Sequence, residues 1–171
     1  MIDKLLRVLG VGAAGLAFAA SPVFAQENAH PTALENEFYS ISGFCQDVRS
    51  DAARTLEDRI KACSGVLQKL DEAKGKAKPL PRETNIYHWM KAYTLMSLGA
   101  LYVQADKAHS GRACSAVETM WAELNAIDES LAGAELKRAL DDAVETVKPS
   151  VRQCRSEVGT PKGAIPAPAD S

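Results

Sequence analysis

Four stretches of this chain set their apolar residues on a helical period. Leu34, Phe38, Ile41, Cys45 and Val48 step by four, three, four and three. Leu56, Ile60, Cys63, Leu67 and Leu70 repeat the step, as do Trp89, Tyr93, Met96, Ala100 and Val103, and again Ala113, Val117, Met120, Leu124 and Ile127. A 3.5–3.6 period puts each set on one face of a helix, and the positions between are mostly charged or polar. A fifth set, Leu136, Leu140, Val144, Val147, Val151 and Cys154, follows nearly the same beat but contains Pro149. Proline removes a helix hydrogen bond and crowds the preceding turn, so a kink or break is expected near Lys148.

The boundaries agree with this division. Pro31 and Thr32, with Glu35 three residues on, predict a capping-box start. Ser50–Asp51 is a natural cap for the second helix. KGKAKPLP (74–81) predicts a linker, because Gly and Pro interrupt a stretch with no apolar stripe. No alternating Val, Ile or Thr run and no Asn-Gly turn predicts a strand. The expected fold is all-α, either a set of helical hairpins or a four- or five-helix bundle.

The two ends carry a different pattern. Lys4 and Arg7 precede the apolar run VLGVGAAGLAFAA (8–20), and Val23 and Ala25 stand where a signal peptidase reads small residues. That arrangement predicts a secretory signal peptide over 1–25, cleaved after Ala25 to leave Gln26 first. Cleavage removes two bases, Lys4 and Arg7, and one acid, Asp3, so a net charge of −2 becomes −3. The expected location is periplasmic or secreted, with no membrane span after cleavage. Weak, dispersed negative charge argues against nucleic acid as a partner. Residues 26–158 make one domain's worth of chain. GTPKGAIPAPADS (159–171) is too poor in bulky apolar residues to order itself and predicts a disordered tail.

The four cysteines matter more once export is expected, because oxidising compartments favour disulfides. Cys45 and Cys63 lie on the inner stripes of consecutive helices at similar heights above their turn. The same argument pairs Cys114 with Cys154. Four cysteines allow three pairings, and the other two stay open at this level. No CxxC, CxxCH or close Cys/His spacing points to redox, haem or zinc chemistry.

A repeat runs through the middle of the chain. Ala-Cys-Ser occurs at 62–64 and at 113–115, each time opening a helix with an aromatic-bearing helix upstream. The stretch TLMSLGALYVQADKAHSGRACSAVETMWAELNAID (94–128), with Leu98, Gly99, Tyr102 and Gly111, resembles a tetratricopeptide repeat. It departs from that family at Leu95, where a Trp is usual, at Glu118, where an Ala is usual, and in lacking the closing Pro. The resemblance implies that Gly99 and Gly111 let two helices approach closely. It also implies a concave surface that grips a peptide or partner protein.

Few residues suggest catalysis. His88, Met90 and Met96 could be read as soft copper donors, but Met90 and Met96 equally suit a helix core. Glu129–Ser130 has the look of a transglycosylase Glu-Ser pair, yet Ser130 starting the next helix is the simpler reading. No phosphate loop, G-x-S-x-G or H-E-x-x-H occurs. The chain is therefore expected to be no enzyme and to need no cofactor or metal. Tyr87, Trp89 and Tyr102, on the aromatic stretch 86–102, are candidate partner-binding residues, since aromatics dominate interfaces; they also fill cores, and the scarcity of other aromatics favours that reading. Trp121 lies off its helix's stripe and is the expected exposed anchor. Arg54, Arg59, Lys61 and Lys69 read as a solvated face. The expected function is an exported adaptor for another protein or peptide of the cell envelope. A toxin-immunity or inhibitor protein is the alternative, and a metal or haem carrier a third.

Overall fold

The computed structural model describes residues 30–106 and 111–166. Residues 1–25, where the sequence predicts a signal peptide, His109 and the last five residues of the chain lie outside the described residues. Five α-helices are present among those described: α1 Ala33–Ser50, α2 Leu56–Ala77, α3 Pro81–Asp106, α4 Gly111–Asn125 and α5 Ala134–Val158. A single 3₁₀ turn, Glu129–Leu131, precedes α5, and no described residue is in a strand. The fold is all-α, as the periodicity predicts.

Helix α1 starts where expected. Thr32 accepts from the Glu35 amide through its side chain at 3.1 Å, and Glu35 Oε2 accepts from the Thr32 amide at 2.9 Å. The start of α2 differs. Asp51 closes α1, and Thr55 caps α2 by accepting from the Asp58 amide at 3.1 Å. Asp51 instead accepts from the Ala53 amide at 2.9 Å and from Arg54, which shapes the turn. The linker predicted over 74–81 is also shorter. Lys74 and Lys76 sit in the last turn of α2, where cations complement the carbonyl end of a helix. The helix stops only at Lys78, which turns left-handed (φ 46°) before Pro79. Pro81 then takes the first position of α3, where its missing N–H is harmless.

Helix α3 is the axis of the molecule. Its 26 residues span about 39 Å at 1.5 Å per residue. It packs against α1 and α2 on one side and α4 on the other, while α5 packs on α4. Being covered from two sides, α3 buries Ile86, Tyr87, Met90, Leu95, Leu98 and Leu101 together with Trp89 and Ala100. The single stripe read from its sequence is therefore only part of its buried surface, and Tyr93, Met96 and Val103 are only partly buried. Against α1 the contact includes small hydroxyls. Ser42 Oγ lies 3.0 Å from Thr94 Oγ1, and Gln46 donates to Ser97 Oγ at 2.7 Å.

Gly99 faces α4, and a β-carbon there would meet Ala116 Cβ at 3.7 Å. The small partner at this crossing is thus Ala116. Gly111 is exposed, and a β-carbon on it would meet nothing within 4 Å. The loop before α5 is tied back to α3 by Asn85, which donates to the Asp128 carbonyl and accepts from the Asp128 amide, both at 2.9 Å. Ser130 does not cap α5: it binds Asp128, and Gly133 is the cap residue without a side-chain bond.

Helix α5 runs unbroken through Pro149. Pro149 and Glu145, whose carbonyl loses the bond that proline cannot donate, are both exposed, so the loss falls on the outer side of the helix. The tail also departs from expectation at its near end. Arg155 donates to the Ile165 carbonyl at 2.8 Å, and Ile165 packs against the core.

Two disulfides lock consecutive helices. Cys45–Cys63 joins α1 to α2 with a Cα separation of 4.8 Å, and Cys114–Cys154 joins α4 to α5 at 5.4 Å. Both are the pairs expected from hairpin geometry, and all four sulfurs are buried.

Candidate functional site

Most of the aromatic residues predicted to meet a partner are in the core. Tyr87, Trp89 and Trp121 are 4%, 8% and 4% exposed. The correction is sharpest for Trp121, the expected exposed anchor. Helix α4 lies between α3 and α5, so a residue off its main stripe is still covered. Tyr102 alone of the four is half-buried, with the Arg112 guanidinium 4.8 Å from its ring centre.

Tyr87 nevertheless reaches the surface with its hydroxyl. The ring stands edge-on to Phe38 at 5.8 Å, and the hydroxyl donates to Asp71 on α2. Lys91 donates to the same carboxylate at 2.8 Å and to the Tyr87 oxygen at 2.9 Å. It also pairs with Glu123 on α4 at 3.2 Å, and His88 Nδ1 donates to the other Glu123 oxygen at 2.6 Å. The cluster joins α2, α3 and α4 through charges on each.

Burial alone would raise the Glu123 carboxyl, but the His88 hydrogen bond and the Lys91 charge outweigh it and hold it below the usual range. Burial likewise opposes the Asp71 charge, and the Lys91 and Tyr87 bonds prevail there too. The Tyr87 phenol is pushed up to about 12, first by burial and then by its bond to Asp71. What this arrangement does chemically is hold three helices in register. A depressed carboxyl stabilises the fold above its unfolded pKa, and that contribution is lost as pH falls through the folded value. Glu123→Gln is therefore expected to flatten the decline of melting temperature below about pH 4.5. Thermal melts of both proteins from neutral to acid pH check this, and parallel curves would count against it.

The soft-donor reading of His88, Met90 and Met96 finds His88 Nδ1 engaged by Glu123 and Met90 in the core. No group of three His, Cys, Asp or Glu residues suited to a metal occurs among the described residues.

A different surface stands out. Phe44, on α1, is 44% exposed beside a hollow of about 410 Å³ that opens along α2. Ala62 and Gly65, one turn apart, leave the space by lacking bulk. Arg54, Lys61 and Lys69 rim it, with Asp58 the one acid among the lining residues. Lys69 Nζ stands 5.8 Å from the centre of the Phe44 ring, within cation–π range. Arg54 is paired with Asp51 at 3.0 Å, whereas neither Lys61 nor Lys69 is in an ion pair among the described residues.

No protein family, curated protein or solved structure matches this chain. Its candidate site therefore rests on its own geometry.

Arg54, Lys61 and Lys69 form the exposed basic face read from the sequence, whereas Arg59 is half-buried and donates to the Arg49 carbonyl at 3.1 Å; the apolar hollow inside that face escapes a periodicity argument. Two signals point there in retrospect. Phe44 sits off the Phe38–Ile41–Cys45–Val48 stripe, and Ala62–Gly65 interrupts an otherwise charged face. A hollow with an aromatic wall and a cationic rim can hold an apolar side chain and hydrogen-bond to carboxylates beside it.

Proposed function

We propose that this chain is an exported helical adaptor that binds another protein or peptide of the cell envelope. Export is supported by the signal-peptide pattern of residues 1–25 and by two buried disulfides, which persist where the surroundings oxidise thiols. Binding is supported by one observation above all: a large aromatic side chain, Phe44, is left half in solvent against a hollow rimmed by unpaired lysines. Of the aromatics read as partner-binding, Tyr87, Trp89 and Trp121 are in the core, so the reading uses this hollow in their place.

The test is photo-crosslinking in cells that export the full chain, with a benzoylphenylalanine placed at position 44, 80 or 131 in turn. All three positions are exposed. The expected result is a mature chain starting at Gln26 with a discrete protein adduct from at least one of them. A chain retained with its signal peptide and reduced cysteines, or one with no adduct at any position, overturns the reading.

A further inference from the structure

Resting on that adaptor reading, we propose that the hollow beside Phe44 is the docking site, and that its occupant is an acidic segment of the partner carrying one apolar side chain. The apolar side chain seats over Ala62 and Gly65 against the Phe44 ring. Flanking carboxylates meet Lys61 and Lys69.

Gly65 is the first reason. It lies inside the 22-residue helix α2, where glycine costs roughly 0.5–1 kcal/mol relative to alanine. Its backbone has no left-handed φ, and a β-carbon would meet nothing within 4 Å, so neither turn geometry nor close helix packing requires glycine there. What glycine does leave is the open floor of the hollow, with Ala62 one turn away and Phe44 as its wall.

Charge complementarity selects the occupant. The whole chain carries a net charge of −2, yet this patch collects Arg54, Lys61 and Lys69 around a single acid, Asp58. Two of those cations have no carboxylate partner of their own, so their charge is directed outward. Asp58 also separates a peptide from a membrane. A uniformly anionic lipid surface would bring phosphates against Asp58 and against the acidic remainder of the molecule, whereas a peptide can place its carboxylates at the lysines alone. The hollow of about 410 Å³ is wide enough for an anchor side chain together with the backbone that carries it, which suits a short peptide segment better than a flat bilayer.

The experiment uses the oxidised mature chain and fluorescein-labelled decapeptides bearing one Leu, Ile, Met or Phe among Asp and Glu residues. Matched peptides replace the apolar residue by Ser or the acids by Lys. Anisotropy titrations are expected to show binding only when both features are present, weakening with added salt. Gly65→Leu puts a branched side chain of a good helix former on the floor where the anchor seats, so it is expected to abolish binding while melting no lower than the parent. A Lys61→Glu/Lys69→Glu double variant is expected to lose about tenfold or more in affinity, the scale of an interface hot spot. Val158→Ser, an exposed change elsewhere, is expected to leave binding unchanged. Binding that survives Gly65→Leu, no binding by any acidic–apolar peptide, or preferential binding to phosphatidylglycerol vesicles each overturns the inference. The adaptor reading fails separately, and only if the crosslinking probes at positions 44, 80 and 131 all stay without an adduct or the chain is not exported.

Discussion

Replacing Cys114 and Cys154 together by alanine is expected to lower the melting temperature by about 12 °C, and by more than replacing Cys45 with Cys63. The difference comes from loop length. Cys114 and Cys154 are 40 residues apart and Cys45 and Cys63 only 18. Restricting the unfolded chain over those loops contributes about 4 and about 3 kcal/mol respectively. The positions of the bridges should widen the gap. Helix α2 packs on both α1 and α3, so the first hairpin keeps apolar contacts after its bridge is gone. The main packing partner of helix α5 is α4, and its buried face is a narrow row: Leu136, Leu140, Val147, Val151 and Cys154. Without the second bridge, α5 is expected to open locally before the rest unfolds. Hydrogen exchange measures this directly: in the Cys114→Ala/Cys154→Ala protein, α5 amides should lose protection while α3 amides keep theirs. Equal melting losses from both bridges, with protection lost evenly across the chain, would sink the argument.

The contrast between α5 and α3 also explains what the sequence can reveal. A helix that gathers most of its buried residues on one stripe advertises it, so the main stripes of α1, α2, α4 and α5 are legible and lead directly to the cysteine pairs. Helix α3 is covered from two sides, which blurs its period and hides the buried roles of Ile86, Tyr87 and Met90. Trp121 is hidden for a related reason: nothing local says that α4 is sandwiched. Caps are legible when their partners are local, as with Thr32 and Glu35. Between Asp51 and Thr55 the choice is harder, since both residue types cap well and an acid three residues on, Asp58, follows Thr55. The hollow beside Phe44 was least legible. It depends on an off-stripe aromatic on α1 meeting small residues on α2, and only their packing across the hairpin places them side by side.

A buried ion pair at the base of α1 carries the second large expected effect. Glu35 is 1% exposed, and its Oε1 lies 2.9 Å from the Nε of Arg82. Its other oxygen accepts from the Thr32 amide and from Arg82 Nη2 at 3.3 Å. Thr32 in turn donates to Glu83 at 2.7 Å, and Glu83 accepts from the Leu80 amide at 2.7 Å. One carboxylate therefore serves the cap of α1 and its junction with α3. Glu35→Ala removes both functions and is expected to cost about 3 kcal/mol, since the cap loses its return bond, the charged hydrogen bonds to Arg82 are lost and a buried side chain's space is left empty. Glu35→Gln can still accept from Thr32 and fills the same space, so it should cost about half as much. The decisive variant is Arg82→Met. It leaves Glu35 buried without its counter-charge, while the double change Glu35→Leu/Arg82→Met leaves no charge to compensate. Denaturant unfolding is expected to find the double variant more stable than Arg82→Met alone, because a buried pair replaced by apolar side chains loses far less than a pair broken on one side. If Arg82→Met stays within about 0.5 kcal/mol of the parent, as an ordinary surface change does, then Glu35 does not depend on Arg82 and the junction is held by the cap alone.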